Sequence, residues 1–76
     1  MTNTTITPKG TTHIKLNKDN EPIMFYKLSP VQFNDGTIGE SLQYFNYDWN
    51  NWQGLVNTRN EVMNLIKSND KSIIVI

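Results

Sequence analysis

The chain has 76 residues, seven basic and seven acidic side chains, and no cysteine. This length predicts a single domain over residues 1–76, because domains usually run to about 100 residues or more. The lack of cysteine excludes a disulfide framework and thiolate metal sites. No apolar run approaches the ~20 residues of a membrane span, and no apolar signal core is present. We therefore expect a cytoplasmic protein with no membrane partner.

The composition predicts a folded chain with a thin core. Apolar residues make up 37% and aromatic residues 11% of the sequence, an aromatic share that argues against disorder. A domain of this size buries only about 60% of its unfolded surface. Association of two copies would bury more, so we expect a homodimer.

Alternation of apolar and polar residues predicts four strands in the first part of the chain. They cover residues 2–7, 11–17, 22–33 and 37–45. Turn signals separate them at Pro8-Lys9-Gly10, Lys18-Asp19-Asn20-Glu21 and Asn34-Asp35-Gly36. Pro30 interrupts the third run, so residues 31–33 are either a bent continuation or an edge segment.

Beyond Asn46 the apolar spacing changes to three, four and seven residues, which predicts a helix over residues 47–68. The apolar stripe consists of Trp49, Trp52, Leu55, Val56, Val62, Met63 and Ile66. Gly54 would mark a kink in this helix, and Ser68-Asn69-Asp70 should end it. Residues 70–76 form an apolar C-terminal extension. The predicted fold is α+β, a four-stranded antiparallel sheet followed by one long amphipathic helix.

Residues that carry out catalysis or bind metal are scarce. The chain has one histidine, and its serines and glycines form neither a nucleophile elbow nor a phosphate-binding loop. We expect no enzymatic activity, no metal, no cofactor and no small-molecule substrate.

One face of the predicted sheet combines basic and aromatic residues. If Ile14 and Leu16 point inward, His13 and Lys15 point outward, and Phe25 and Lys27 share one face of the next strand. Single-stranded nucleic acid uses this combination, because bases stack on rings while lysines neutralise phosphates. An ordinary solvated face with one aromatic residue explains the pattern equally well.

The order of four strands and one helix, with Leu42-Gln-Tyr-Phe-Asn-Tyr-Asp-Trp49 at the junction, resembles the single-stranded DNA-binding family of transcriptional positive cofactor four. The resemblance implies a homodimer whose sheets grip unpaired strands, as in coactivator-like and phage or bacterial members. It matches the family's basic and aromatic strand positions to Lys15, Lys18, Phe25 and Lys27. It also matches the dimer interface on the helix to Trp49, Trp52, Val56 and Met63. The family's basic loop before the last strand has no counterpart in residues 34–40.

These observations predict a homodimer that binds single-stranded DNA without sequence preference, in replication, recombination or transcription. Nucleic-acid contacts are assigned to His13, Lys15, Lys18, Phe25 and Lys27, and the expected location is the cytoplasm of a bacterial or phage-infected cell. Replication or transcription proteins are candidate partners. The alternative is a small protein-interaction module or viral inhibitor that uses the same sheet or residues 73–76 as an added strand.

The zero net charge divides unevenly along the chain. Residues 1–30 carry four lysines against two acidic residues, a net +2, and residues 31–76 carry three basic against five acidic residues, a net −2. The balance predicts modest, salt-sensitive affinity for DNA.

Overall fold

The computed structural model describes residues 7–76 of the chain. In chain order the elements are β1 (His13–Leu16), β2 (Pro22–Gln32), β3 (Ile38–Asn46), β4 (Asn51–Gly54), α1 (Arg59–Lys67) and β5 (Ile73–Val75). The five strands form one sheet in the order β4-β3-β2-β1-β5, and each neighbouring pair is antiparallel. The first four strands follow one another as a meander, and β5 adds to the free edge of β1.

The prediction of four strands followed by one long helix is wrong. The described residues are mostly β, and the single helix has nine residues in place of the predicted span of 47–68. Residues 51–54 form β4, and the C-terminal extension contains β5. The predicted strand over residues 2–7 falls outside the described residues except for Thr7, which lies in no helix or strand.

The error arose from a coincidence of spacing in residues 46–54. Trp49 and Trp52 are three residues apart, as on a helix, but Trp49 lies in a tight turn and Trp52 lies in β4. The side-chain oxygen of Asn46 accepts the backbone N–H groups of Asp48 and Trp49, and Asn50 has a positive φ of 51°. This conformation suits Asn better than most residues and reverses the chain. Trp52 therefore pairs with Phe45 on the neighbouring strand.

The sequence correctly predicted that β1, β2 and β3 are strands and that turns connect them. Asn20 and Gly36 both have positive φ, at 63° and 89°. The side chain of Asn17 accepts the backbone N–H groups of Asp19 and Glu21 in the first turn. In the second turn, the Asp35 carboxylate accepts the backbone N–H and the hydroxyl of Thr37. Local side-chain bonds of this kind explain why short-range sequence signals sufficed here.

Pro30 lies within β2, which continues through it to Gln32. The N–H of Phe33 bonds to the carbonyl of Thr37, so odd-numbered residues of β2 carry the hydrogen bonds to β3. The nitrogen of Pro30 therefore points towards the β1 side of β2, where the pairing with β1 has already ended at Tyr26. A proline is tolerated there because no ladder hydrogen bond is lost.

The helix ends where the sequence predicted it would. Asn69 has a φ of 56°, and the N–H groups of Asn69 and Asp70 bond to the carbonyls of Ile66 and Leu65. These bonds define a Schellman motif, which satisfies carbonyls that the last turn leaves free. Within residues 7–76, no helix has the length and apolar character needed to cross a membrane.

The main core lies between α1 and one face of the sheet. Its buried residues come from four elements and are Tyr26, Leu42, Val62, Met63 and Ile73. Val62, Met63 and Ile66 belong to the predicted apolar stripe and pack in this core on a much shorter helix, although Met63 was assigned to a dimer interface. Arg59 reaches the sheet from the first turn of α1, where its guanidinium donates to the carbonyl of Glu40 at 2.8 Å.

The sequence assigned Met63 and Val56 to one dimer interface. In the structure, substitutions at these two positions should differ sharply in their effect on the free energy of unfolding. Met63 is buried in the core and Val56 is exposed in the loop before α1. We expect Met63→Ala to lower the free energy of unfolding by about 2–5 kcal/mol and Val56→Ala to change it by less than about 0.5 kcal/mol. Urea unfolding of both variants checks this, and equal effects would contradict the packing.

Candidate nucleic-acid interface

The sheet face opposite α1 carries a second cluster of aromatic side chains. We call it the aromatic face and define it by Phe25, Phe45 and Trp52, together with Tyr47 from the β3–β4 turn and Lys27. Phe25 alternates with the core residue Tyr26, and Phe45 pairs with Trp52, so these rings point away from the helix.

The rings contact one another edge to face. Tyr47 lies 4.9 Å from Phe45 and 6.3 Å from Phe25 between centroids, and Phe45 lies 5.3 Å from Trp52. Interplanar angles of 69° to 79° place ring edges against ring faces, the arrangement that the quadrupoles of aromatic rings favour. The contacts fix the turn against the sheet.

Lys27 and Trp52 form the polar part of the aromatic face. The Lys27 ammonium lies 4.9 Å from the centroid of the Trp52 ring, within range of a cation–π interaction. The indole N–H of Trp52 donates to the carbonyl of Lys9 at 3.3 Å. Gly10 has a φ of 98° and packs close to both side chains, since a Cβ built there would lie 3.3 Å from Cδ of Lys27. The segment before β1 thus borders this site.

The β3–β4 turn presents the most exposed rings of this region. Tyr47 is 58% and Trp49 73% exposed. Asp48 lies between them and is also exposed. The turn therefore offers two rings and one carboxylate to solvent.

The predicted nucleic-acid contacts do not share one face. Phe25 and Lys27 do lie together, as expected. The register pairs His13 with Tyr26 and Lys15 with Met24, which places both on the helix side of the sheet. Lys18 is exposed in the β1–β2 turn. Because Ile14 pairs with Phe25, the neighbouring residues His13 and Lys15 lie on the other side of the sheet. Alternation within a single strand does not specify this register between strands.

Two of the predicted contact residues are too buried for the roles they were given. Phe25 is 3% exposed, so its ring supports Tyr47 and has no free surface on which a base could stack. His13 is 8% exposed, and its Nδ1 lies 2.8 Å from the hydroxyl of Thr12. His13 therefore belongs to the packed interior and cannot reach a phosphate.

The residues predicted to form a helical dimer interface are dispersed over the structure. Met63 is in the core, Trp52 is in β4, Val56 is in the loop before α1 and Trp49 is in the β3–β4 turn. They were grouped by helical spacing, and residues 49–56 are not helical. The helix-based interface is therefore wrong.

Sequence reasoning missed Phe45 and Tyr47 as members of this site. Phe45 lies in β3, and Tyr47 continues the alternation of that strand into the turn. The Asn-rich segment 46–51, which has hairpin length, precedes Trp52. That combination of alternating aromatics and turn residues is a hairpin signal, and it competed with the helical spacing of the two tryptophans.

A cleft of about 390 Å³ lies on the helix side, lined by Met24, Tyr26, Tyr44 and residues 54–58. The Tyr44 hydroxyl donates to the side-chain oxygen of Gln53, and burial raises the pKa of Tyr26 above its usual 10.0. The Tyr26 phenol therefore stays protonated at neutral pH, and the lining of the cleft carries no charged side chain. Across residues 7–76, no group of three or more His or acidic side chains is placed to hold a metal ion.

Comparison with known proteins does not assign the chain to a family. No protein-family model matches it, and neither a curated protein nor a solved structure matches it significantly. Any function must therefore be argued from the geometry of the chain itself.

His13 should make the stability of the protein depend on pH. Burial lowers the pKa of its imidazole below the usual 6.5, so the unfolded chain takes up the proton first as the pH falls. The free energy of unfolding should be highest above about pH 6.5 and should fall as the solution is acidified towards the lowered folded pKa.

Urea unfolding at about pH 7.5 and about pH 5 measures this loss. His13→Gln is the control, since an amide does not titrate but can still bond to Thr12. The depressed pKa values of Asp35 and Asp70, which lie below the usual 3.8, affect stability only at lower pH. An equal loss in wild type and His13→Gln would contradict this role for His13.

Proposed function

We propose that the protein binds single-stranded DNA, without sequence preference, through the β3–β4 turn and the adjoining aromatic face. The observation that carries the proposal is the pair of exposed rings in the turn, Tyr47 and Trp49, since the Tyr47 ring is linked through Phe45 to Trp52, which contacts Lys27. Unpaired bases expose their π-faces, and stacking on aromatic side chains contributes about 1–3 kcal/mol per base. Such binding would serve replication, recombination or transcription.

The two exposed rings are assigned to base stacking, with Trp52 as a partly exposed neighbour. Phe25 and Phe45 pack against the Tyr47 ring through edge-to-face contacts and restrict its orientation. A ring held by packing loses little conformational freedom when a base stacks on it, so the cost of ordering is reduced.

Lys27 is assigned to phosphate binding, together with the exposed Lys9 beside Trp52. Few cations are present, and the Asp48 carboxylate in the turn repels phosphate. Affinity should therefore depend more on stacking than on charge, with a shallow salt dependence.

Trp49→Ala should weaken binding to unpaired DNA by about 5- to 150-fold, since the loss of one stacking contact costs about 1–3 kcal/mol. Fluorescence anisotropy with a labelled oligonucleotide of about 15 nucleotides measures this. Phe33→Ala is the matched control, because Phe33 is 54% exposed but lies at the opposite end of β3, in the β2–β3 turn. An equal loss in both variants would contradict a site at the β3–β4 turn.

Two charge substitutions should act in opposite directions. Lys27→Met should weaken binding and lower the salt slope by about one unit, because one phosphate contact is lost. Asp48→Asn should strengthen binding, because it removes a negative charge from the turn. Titrations at about 50 to 200 mM salt give both slopes.

Duplex DNA and RNA of matched sequence are the comparisons that define the ligand. The proposal requires unpaired DNA to bind more strongly than duplex DNA, with the shallow salt dependence that few phosphate contacts produce. Absence of that preference would favour the alternative, a module that recognises another protein.

A further inference from the structure

Among residues 7–76, no strand pairs with the outer edge of β5, and the side chains of this strand are apolar. Ile74, Val75 and Ile76 are all exposed, and Val75 is 73% exposed. Edge strands usually carry a charged residue, a proline or a bulge that prevents pairing with other chains. Residues 73–76 contain none of these protections and are all apolar, whereas β4 at the opposite edge carries the polar side chains of Asn51 and Gln53.

Hydrogen bonds to β1 determine which backbone groups of β5 face this free edge. The N–H of Ile76 bonds to the carbonyl of Thr12 at 3.0 Å, and the carbonyl of Ser72 accepts the N–H of Leu16 at 2.6 Å. Even-numbered residues of β5 therefore direct their backbone groups towards β1, and odd-numbered residues direct theirs outward.

The turn before β5 already uses one of the backbone groups that point outward from that strand. The N–H of Ile73 is already bonded to the carbonyl of Asp70 at 3.1 Å. Asp70 is itself held in place, since its carboxylate accepts both the N–H and the hydroxyl of Ser72. Within residues 7–76, neither the N–H nor the C=O of Val75 has a hydrogen-bond partner, and both point to the same side of the strand.

We propose that two copies of the chain associate by antiparallel pairing of β5 with β5, with Val75 on the two-fold axis. Each Val75 donates its N–H to the carbonyl of Val75 in the other copy. In this register Ile74 of each copy lies opposite Ile76 of the other. The contact is isologous, as in most homodimers, and it closes after two copies.

A second copy suits this edge because the register is self-complementary. Every position between residues 74 and 76 places an apolar, β-branched side chain against another, and no charge is buried. The strand is short, so the buried area falls below the ~1,200 Å² of stable interfaces. We therefore expect a weak dimer that dissociates on dilution.

The axis of this pairing is perpendicular to the sheet. Both aromatic faces consequently lie on the same side of a continuous ten-stranded sheet, with the helices on the other. The pairing does not rest on nucleic-acid binding, since Val75 is outside the aromatic face, and it is tested without any nucleic acid.

Sedimentation velocity of the full chain over a wide concentration series measures the association. The wild-type weight-average mass should rise from 8.8 kDa towards twice that value. Val75→Pro removes the outward N–H without removing a hydrogen bond to β1, and it should remain at the monomer mass throughout. Val75→Thr retains the N–H and the branched shape, so it should dimerise like the wild type.

Circular dichroism confirms that each variant is folded, and Val75→Lys offers a second disruptive change that leaves the backbone N–H intact. Two results would overturn the proposal. One is a wild type that stays at 8.8 kDa at every concentration, which would leave the edge to a strand from a different protein. The other is a dimer that survives in both folded variants, Val75→Pro and Val75→Lys.

Discussion

The connection from β4 to β5 constrains the rest of the structure. These strands lie at opposite edges of the sheet, so the chain between them must cross three intervening strands. The crossing segment contains α1, whose residues Val62 and Met63 pack on Tyr26 and Leu42. One face of the sheet is therefore buried beneath the helix. The other face is left to side chains from the strands and the β3–β4 turn.

Alternation along each strand places residues that are adjacent in sequence on different sides of the sheet. His13 and Ile14 are adjacent, yet one lies on the helix side and the other beside Phe25. Burial then gives each side a different chemistry. The helix side excludes water around His13 and lowers the pKa of its imidazole, whereas the aromatic face combines ring contacts with the Lys27 ammonium. A chain with no net charge can thus still hold an ammonium group against an aromatic surface.

The two edges of the sheet differ for a related reason. β4 is the second strand of a tight hairpin, and its backbone continues directly into the loop that leads to the helix. β5 arrives after the crossing and pairs with β1 alone, through residues 73–75. Within residues 7–76, the outward N–H and C=O of Val75 have no hydrogen-bond partner, and its side chain is exposed. The proposed pairing of two copies and the proposed stacking of bases therefore involve different parts of the molecule.

The sequence by itself determined the features that short-range chemistry controls. Asn17 and Asp35 form turns with their own backbone neighbours, Asn69 ends the helix, and alternation marks β1, β2 and β3. It also placed Phe25 and Lys27 on a common face, which is part of the candidate site.

Tertiary structure decided the rest, because register and crossing depend on partners far away in the chain. Helical spacing of Trp49 and Trp52 was outweighed by the Asn46 turn and by the pairing of Trp52 with Phe45. Only that pairing brings Tyr47 and Trp52 to one surface. Likewise, pairing of β1 with β2 buried Phe25 and moved His13 to the opposite side, which no pattern within one strand could specify.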